Sequence, residues 1–276
     1  MAVNLLGNPN DFDAIRALIG PRRITLIEDN CESMGATFAG RQAGTFGVMG
    51  TFSCFFSHHI STMEGGLVVT DDEELYHILL ALRAHGWTRN LPKFNRLTGV
   101  KSDDPFEESF RFVLPGYNLR PLEMSGALGV EQMKKLSALV AGRRANGALW
   151  TREMTGHPLF RIQRETGHSS WFGFAMILRP DCGLSRREVL ARLGHLGFET
   201  RPIVSGNFTK NPVLAMMDHS LHGAMTHAED IDRNGFFIGN HHYDIADAIG
   251  IVAAFRGYLQ VRTDRADRML LRRIRG

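Results

Sequence analysis

The stretch Ser53-Cys54-Phe55-Phe56-Ser57-His58-His59-Ile60-Ser61-Thr62-Met63-Glu64-Gly65-Gly66 joins two β-rich runs, 49–56 and 66–70, and decides how the fold is read. Upstream, residues 24–28 form a third short run, read as a buried strand that ends in Asp29. Before that run, Asn10 is placed to cap a short helix whose apolar stripe is Ala14, Ile15, Leu18 and Ile19. Gly20-Pro21 stops it. After the second run, Thr70-Asp71-Asp72-Glu73 has capping-box character and predicts a helix to about residue 84. Strand and helix thus alternate through the first part of the chain, which argues for an α/β layered sheet.

Farther on, residues 87–118 are polar with scattered Gly and Pro and read as a long loop. Pro121 opens a helix expected to run to about residue 139, and a second helix follows to about 154. Residues 169–178 and 198–203 are strand candidates. Ser185-Arg186-Arg187-Glu188 is a second capping box whose helix ends at Gly197, and 244–255 reads as a terminal helix. The expected domains are a large α/β unit over 1–140, a smaller α+β unit over 141–256 and a basic tail over 257–276.

The 276 residues are 43% hydrophobic and 22% charged, which suits a chain that buries a sizeable core. No apolar run is long enough to span a membrane, and the N-terminus lacks the pattern of a signal peptide. Three cysteines without a CxxC spacing exclude a disulfide framework or a Cys-based zinc ribbon. A reducing, cytoplasmic setting is the default. The net charge of +3 is concentrated in the C-terminal arginines, so the composition gives no general case for nucleic-acid binding.

Two segments invite chemistry. Asp29, in Glu28-Asp29-Asn30-Cys31-Glu32, stands at the C-terminal end of a strand, where α/β proteins bind ligands. It is either a cap or a carboxylate for a protonated ring nitrogen or a metal. In the second segment His58 has the pKa range of a general base. Adjacent histidines on an extended chain face opposite ways, so His58 and His59 are not expected to chelate one metal together, and no metal site is assigned.

Taken in order, these segments resemble the DegT/DnrJ/EryC1/StrS sugar aminotransferases, a family of fold-type-I pyridoxal phosphate proteins. The resemblance also covers Arg83-Ala-His-Gly-Trp-Thr-Arg89, Gly116-Tyr-Asn-Leu-Arg120-Pro-Leu-Glu-Met-Ser-Gly126, Ser170-Trp-Phe-Gly-Phe174 and Arg201-Pro-Ile-Val-Ser-Gly-Asn-Phe-Thr-Lys-Asn211. Aligning Glu64-Gly65-Gly66 puts His58 where the family usually carries the lysine that holds the cofactor covalently. That replacement is similar to the sugar 3-dehydratase branch.

The resemblance implies an aspartate aminotransferase-like fold, with pyridoxal 5'-phosphate or pyridoxamine 5'-phosphate held non-covalently. It implies Asp29 at the pyridinium nitrogen, Glu32 beside the ring and Ser53 at the phosphate. His58 would be the acid/base, and Asn118 would reach a cofactor phosphate across a homodimer interface. Arg89 and Arg120 become candidates for glutamate carboxylates, a task that suits the guanidinium fork. His85, His241 and His242 are weaker candidates for the sugar nucleotide. The implied reaction removes the 3-hydroxyl of a nucleotide-linked 4-keto-6-deoxy sugar, with glutamate as amino donor, for deoxysugar and O-antigen synthesis. With no Cys between Cys54 and Cys182, the Cys-ligated iron–sulfur cluster of a related 3-dehydrase is not expected.

Family members carry a long segment ahead of the point where the match begins, so the resemblance predicts only part of the large domain here. Two other readings stand beside the dehydratase. One is a truncated, non-catalytic relative that binds only a nucleotide sugar or a partner subunit. The other is an ordinary sugar aminotransferase, which needs a lysine other than position 58; the nearest in sequence is Lys93.

Overall fold

A computed structural model describes residues 1–256; the expected basic tail lies outside the described residues. Two compact units emerge. The first comprises Met1–Leu149, Gln163–Phe174 and Asn240–Ile245; the second comprises Trp150–Ile162, Ala175–Gly239 and the described residues from Ala246 onward. A single cut at 140 was expected. The first unit instead extends to Leu149 and takes back two later segments.

The first unit opens with β1 (Ala2–Val3), α1 (Phe12–Ile19) and β2 (Ile27–Asp29). A small hairpin, β3 (Thr37–Phe38) and β4 (Arg41–Gln42), leads to β5 (Met49–Ser53) and β6 (Gly66–Val69). The main sheet has the order β1-β2-β5-β6. The first three strands are parallel, with Val3 opposite Asp29 and Asp29 opposite Thr51. β6 is antiparallel to β5. Helix α2 (Glu73–Leu82) follows. The expected loop then holds a hairpin, β7 (Phe94–Asn95) with β8 (Gly99–Val100), and the short α3 (Pro105–Glu108). Helices α4 (Glu123–Met133) and α5 (Leu136–Met154) come next. The helix break therefore falls at Lys134-Lys135, earlier than the sequence pattern placed it.

Several local readings shift by a residue or two. Asp11, not Asn10, caps α1 by accepting from the Ala14 N–H at 2.9 Å. Asn10 instead donates to the Val3 carbonyl and to Asn4 Oδ1. The expected stripe of α1 is not the buried one: Leu18 is exposed, and Phe12 is fully buried, stacked on Phe46 with ring centroids 4.1 Å apart. Asp72, not Thr70, caps α2, accepting from the Glu74 and Leu75 N–H groups. Thr70 bonds the Val48 carbonyl.

The second unit contains β9 (Phe160–Ile162), most of β10 (Gly173–Leu178), α6 (Arg186–His195), α7 (Thr226–Asn234), β11 (Gly235–Gly239) and α8 (Ala246–Ala254). Its sheet has the order β11-β10-β9. The predicted capping box on α6 is present in both directions: the Ser185 hydroxyl accepts from the Glu188 N–H, and the Glu188 carboxylate accepts from the Ser185 N–H. Residues 198–203 form no strand; Arg201 makes a single bridge to Phe237. Phe160 packs edge-on to Phe236, and Val189, Leu193, Ile249 and Val252 are buried.

What anchors the large sheet is Glu28, which is fully buried. Its carboxylate accepts from the backbone N–H groups of Gly44 (2.6 Å), Gly47 (2.7 Å) and Phe46. Gly44 has φ +94°, and a Cβ on Gly50 would sit 2.2 Å from the Gly44 carbonyl oxygen, so both positions require glycine. In Glu28→Gln, one oxygen becomes an amide donor facing N–H donors. This substitution is expected to cost about 3 kcal/mol, the scale for breaking a buried charged hydrogen-bond set. Urea unfolding of the variant against the parent chain measures it.

Candidate active site

Parallel strands β2 and β5 end at the same edge of the sheet, and Asp29 and Ser53 stand there, two residues apart in register. Asp29 Oδ1 accepts from the Cys31 N–H at 2.9 Å. It is half-buried and joins no salt bridge among the described residues. Burial pushes the Cys31 thiol up to about 12, and its hydrogen bond to Asp29 and the Asp29 charge push the same way. Glu32 accepts from the Leu6 N–H at 2.8 Å. Burial holds its carboxyl above the usual range; that hydrogen bond opposes the shift, and the Asp29 charge adds to it. Ser53 Oγ accepts from the Phe55 N–H, leaving its own proton to donate.

The histidine pair lies in a turn between β5 and β6, not on extended chain, so the two rings are not forced apart as a strand would force them. Both flank Phe172: the His58 centroid lies 5.1 Å from that ring, and the His59 centroid 5.9 Å. Burial lowers the pKa of His58 and the Arg143 charge lowers it further; a hydrogen bond with the Phe55 backbone and the Asp29 charge oppose them. Its Nδ1 is buried and has no hydrogen-bond partner among the described residues. His59 is 3% exposed, and burial with the Arg143 charge takes it down to about 3.

The fit of this corner to pyridoxal phosphate can be read from its donors and acceptors. A half-buried carboxylate without a cation suits a protonated ring nitrogen. An unpartnered buried imidazole nitrogen, a free hydroxyl proton on Ser53 and the Phe172 face complete a polar, aromatic-walled corner. These donors and acceptors fit the group.

The remaining expected residues stand farther along the unit. Asn118 is exposed, bridges to Ala84 past the end of α2, and accepts from Arg120 Nε at 3.3 Å. Arg89 is exposed over the Trp87 ring, 4.1 Å from its centroid. His85 is exposed with φ +63°. His241 is exposed and stacks on Tyr243, and its pKa is lowered first by burial of the ring and then by the Arg143 charge.

Sequence reasoning missed Arg143 and assigned no role to Phe172. Arg143 is buried, donates to the carbonyls of Phe172 (3.2 Å) and Asn240 (2.6 Å), and depresses three imidazoles. A signal was available in Ala141-Gly142-Arg143-Arg144-Ala145-Asn146-Gly147, where small residues permit close approach. A Cβ on Gly142 would lie 2.0 Å from the His242 carbonyl oxygen, and one on Gly147 would lie 2.6 Å from the Trp171 ring.

Comparison with known proteins follows the same line. The model of the DegT/DnrJ/EryC1/StrS aminotransferase family matches residues 1–254. The GDP-4-keto-6-deoxy-D-mannose 3-dehydratase of Escherichia coli O55:H7 is 60% identical over 250 residues, which is 90% of this chain and 64% of that protein. A crystal structure of GDP-4-keto-6-deoxymannose-3-dehydratase with a trapped PLP-glutamate geminal diamine matches with a TM-score of 0.89 at 59% identity. It covers 91% of this chain and 65% of that one. A histidine-to-asparagine mutant of GDP-4-keto-6-deoxymannose-3-dehydratase with bound GDP-perosamine matches with the same TM-score at 58% identity, over 91% of this chain and 65% of that one. The chain thus spans a little under two thirds of the length of these relatives.

Two outcomes test the geometry without any ligand. Asp29→Asn removes the charge beside Cys31, so the pH midpoint for alkylation of that thiol is expected to move down from about 12. The second concerns His59, whose pKa falls from 6.5 unfolded to about 3 folded. Between those values the unfolded chain binds the extra proton. His59 therefore contributes stability that is present above 6.5 and lost as pH falls, by up to about 1.4 kcal/mol per pH unit. His59→Gln is expected to flatten that slope, as read by urea unfolding across a pH series.

Proposed function

The chain belongs to the DegT/DnrJ/EryC1/StrS aminotransferase family, with the fold of its pyridoxal-phosphate-dependent members, and from that premise we propose that it removes the 3-hydroxyl of GDP-4-keto-6-deoxymannose. The observation that carries this reading is the imidazole of His58, facing the charge of Asp29, where an aminotransferase needs a lysine amine. Imidazole cannot hold the cofactor covalently. Glutamate is the proposed amino donor; the glutamate adduct trapped in the similar enzyme supports it. The proposed balance is closed: the sugar loses its 3-oxygen, and glutamate becomes 2-oxoglutarate with its nitrogen released as ammonia. The proposed setting is the cytoplasm; no helix among the described residues is long and apolar enough to cross a membrane.

When bound, the cofactor supplies an electron sink next to the sugar's C4. Asp29 would accept the ring N–H and keep that nitrogen charged. Glu32, whose proton is held more firmly than usual, would stand beside the ring. The Ser53 hydroxyl would donate to the phosphate. His58, kept neutral near pH 7 by burial, takes up a proton and delivers it to the departing 3-hydroxyl oxygen. Arg89 and Arg120 are the proposed clamps for the glutamate carboxylates.

A homodimer is the proposed assembly. Phe110, Tyr117 and Met124 are 74%, 71% and 67% exposed, apolar side chains of the kind a second copy would cover, and Asn118 and Arg120 belong to the same stretch of chain. Asn118 would then serve the partner's cofactor phosphate.

The test begins with pyridoxamine phosphate titrated against tryptophan fluorescence from Trp87, Trp150 and Trp171. Saturable binding, followed by loss of the 3-hydroxyl in an assay with glutamate and the GDP-sugar, is the expected result. His58→Asn is expected to bind the cofactor and lose about 10²-fold or more in turnover. His58→Lys is expected to shift the absorbance of bound pyridoxal phosphate. Failure to bind at millimolar ligand would favour the non-catalytic reading.

A further inference from the structure

We propose that His59 is a positioning residue for His58, acting through the Ser170 carbonyl and the Phe172 ring. This rests on the reading of His58 as the proton carrier and adds a residue to that site. The carbonyl of Ser170 can only accept, so His59 Nε2 carries the proton in their 3.1 Å hydrogen bond. His59 Nδ1 is then the bare nitrogen, and it has no partner among the described residues. A fully buried ring with one bond, aimed at one carbonyl, fixes that carbonyl's place.

The segment it grips is held on every side. The Ser170 N–H donates to the Gly7 carbonyl at 2.9 Å, and the Phe172 N–H to the Leu6 carbonyl at 3.0 Å. Asn240 Nδ2 donates to the Trp171 carbonyl at 2.8 Å, and Arg143 to that of Phe172. Between them Trp171 is buried at φ +50°, a conformation unfavourable for a bulky residue that persists only where its surroundings over-determine it. The product of this clamping is one ring position: Phe172 lies 5.1 Å from the His58 centroid at an interplanar angle of 35°. His59 thus ties the turn that carries His58 to the segment that walls it. Phe172 and Phe55 pack against His58, and the Phe55 backbone, Arg143 and Asp29 act on its charge.

The experiment follows the His58 imidazole by histidine-labelled NMR in the full chain, without sugar, so it reads independently of turnover. His59→Phe keeps an aromatic ring and loses the donor; His59→Gln keeps an amide donor in nearly the same place. The expected result is an upward shift of the His58 titration toward 6.5 in His59→Phe, as the wall loosens and water enters, with restoration in His59→Gln. In the dehydratase assay the Phe variant is expected to lose about tenfold or more in kcat with KM for the sugar little changed, the mark of misplacement. If the Phe variant fails to fold, His59→Leu, which also lacks a donor, takes its place and is expected to give the same upward shift. An unmoved His58 titration in the folded variant, or equal behaviour of the Phe and Gln variants, overturns the proposal. These variant-dependent NMR shifts, together with a parent chain that shows no turnover, would instead overturn the function proposed above.

Discussion

A single buried carboxylate organises the large sheet. Glu28 lies in the middle of β2 with no solvent around it, and the three backbone N–H groups it receives come from the loop that leads into β5. An unanswered charge there would be very costly, so the loop must fold back over the strand. The close approach of Gly44 and Gly50 follows from that closure. Asn4 and Asn30 extend the polar knot toward β1 with a 2.6 Å side-chain bond. Because strand side chains alternate, holding Glu28 on one face of β2 turns its neighbour Asp29 to the other. The structural residue and the site residue are adjacent for that reason.

A second constraint is electrostatic. Arg143 is buried in α5 among backbone carbonyls and lowers the proton affinity of every imidazole it faces. At His58 burial acts first in the same direction, and a hydrogen bond with the Phe55 backbone and the Asp29 charge oppose it. His58 is therefore held between a fixed cation and a fixed anion, in a wall made by Phe172. Such an arrangement keeps a histidine neutral yet able to take a proton, the condition that acid–base work near neutral pH requires.

Much of the fold could be read locally. The strands within 49–56 and 66–70, the helix after Asp72 and the capping box at Ser185 each follow from short-range chemistry: turn residues, β-branched runs and side-chain acceptors three residues from an N–H. The run expected over 24–28 is strand only from Ile27 to Asp29, and Ile24 is exposed. What failed was equally local in appearance. Asn10 and Asp11 are both good caps, and only the pull of Val3 and Asn4 on Asn10 decides between them. The stripe Ile15–Leu18–Ile19 has helical spacing, yet the buried residue is Phe12, because Phe46 is brought to it by the Glu28 loop. Residues 198–203 look like a strand and make one bridge, since strand pairing depends on a partner that local pattern does not reveal.

The residue types and order along the chain determined the α/β class, the family and the candidates Asp29, Glu32, Ser53 and His58, because that chemistry is carried by side chains at fixed spacing within short segments. Only the tertiary structure decided that Asp29 and Ser53 end neighbouring strands at one sheet edge, that Arg143 and Phe172 reach His58 from segments about 85 and 114 residues beyond it, and that His59 is a buried strut. The physical reason is that burial, charge and unmade hydrogen bonds are properties of a three-dimensional neighbourhood. Spacing fixes which groups are available; packing fixes which of them face each other and lose their water.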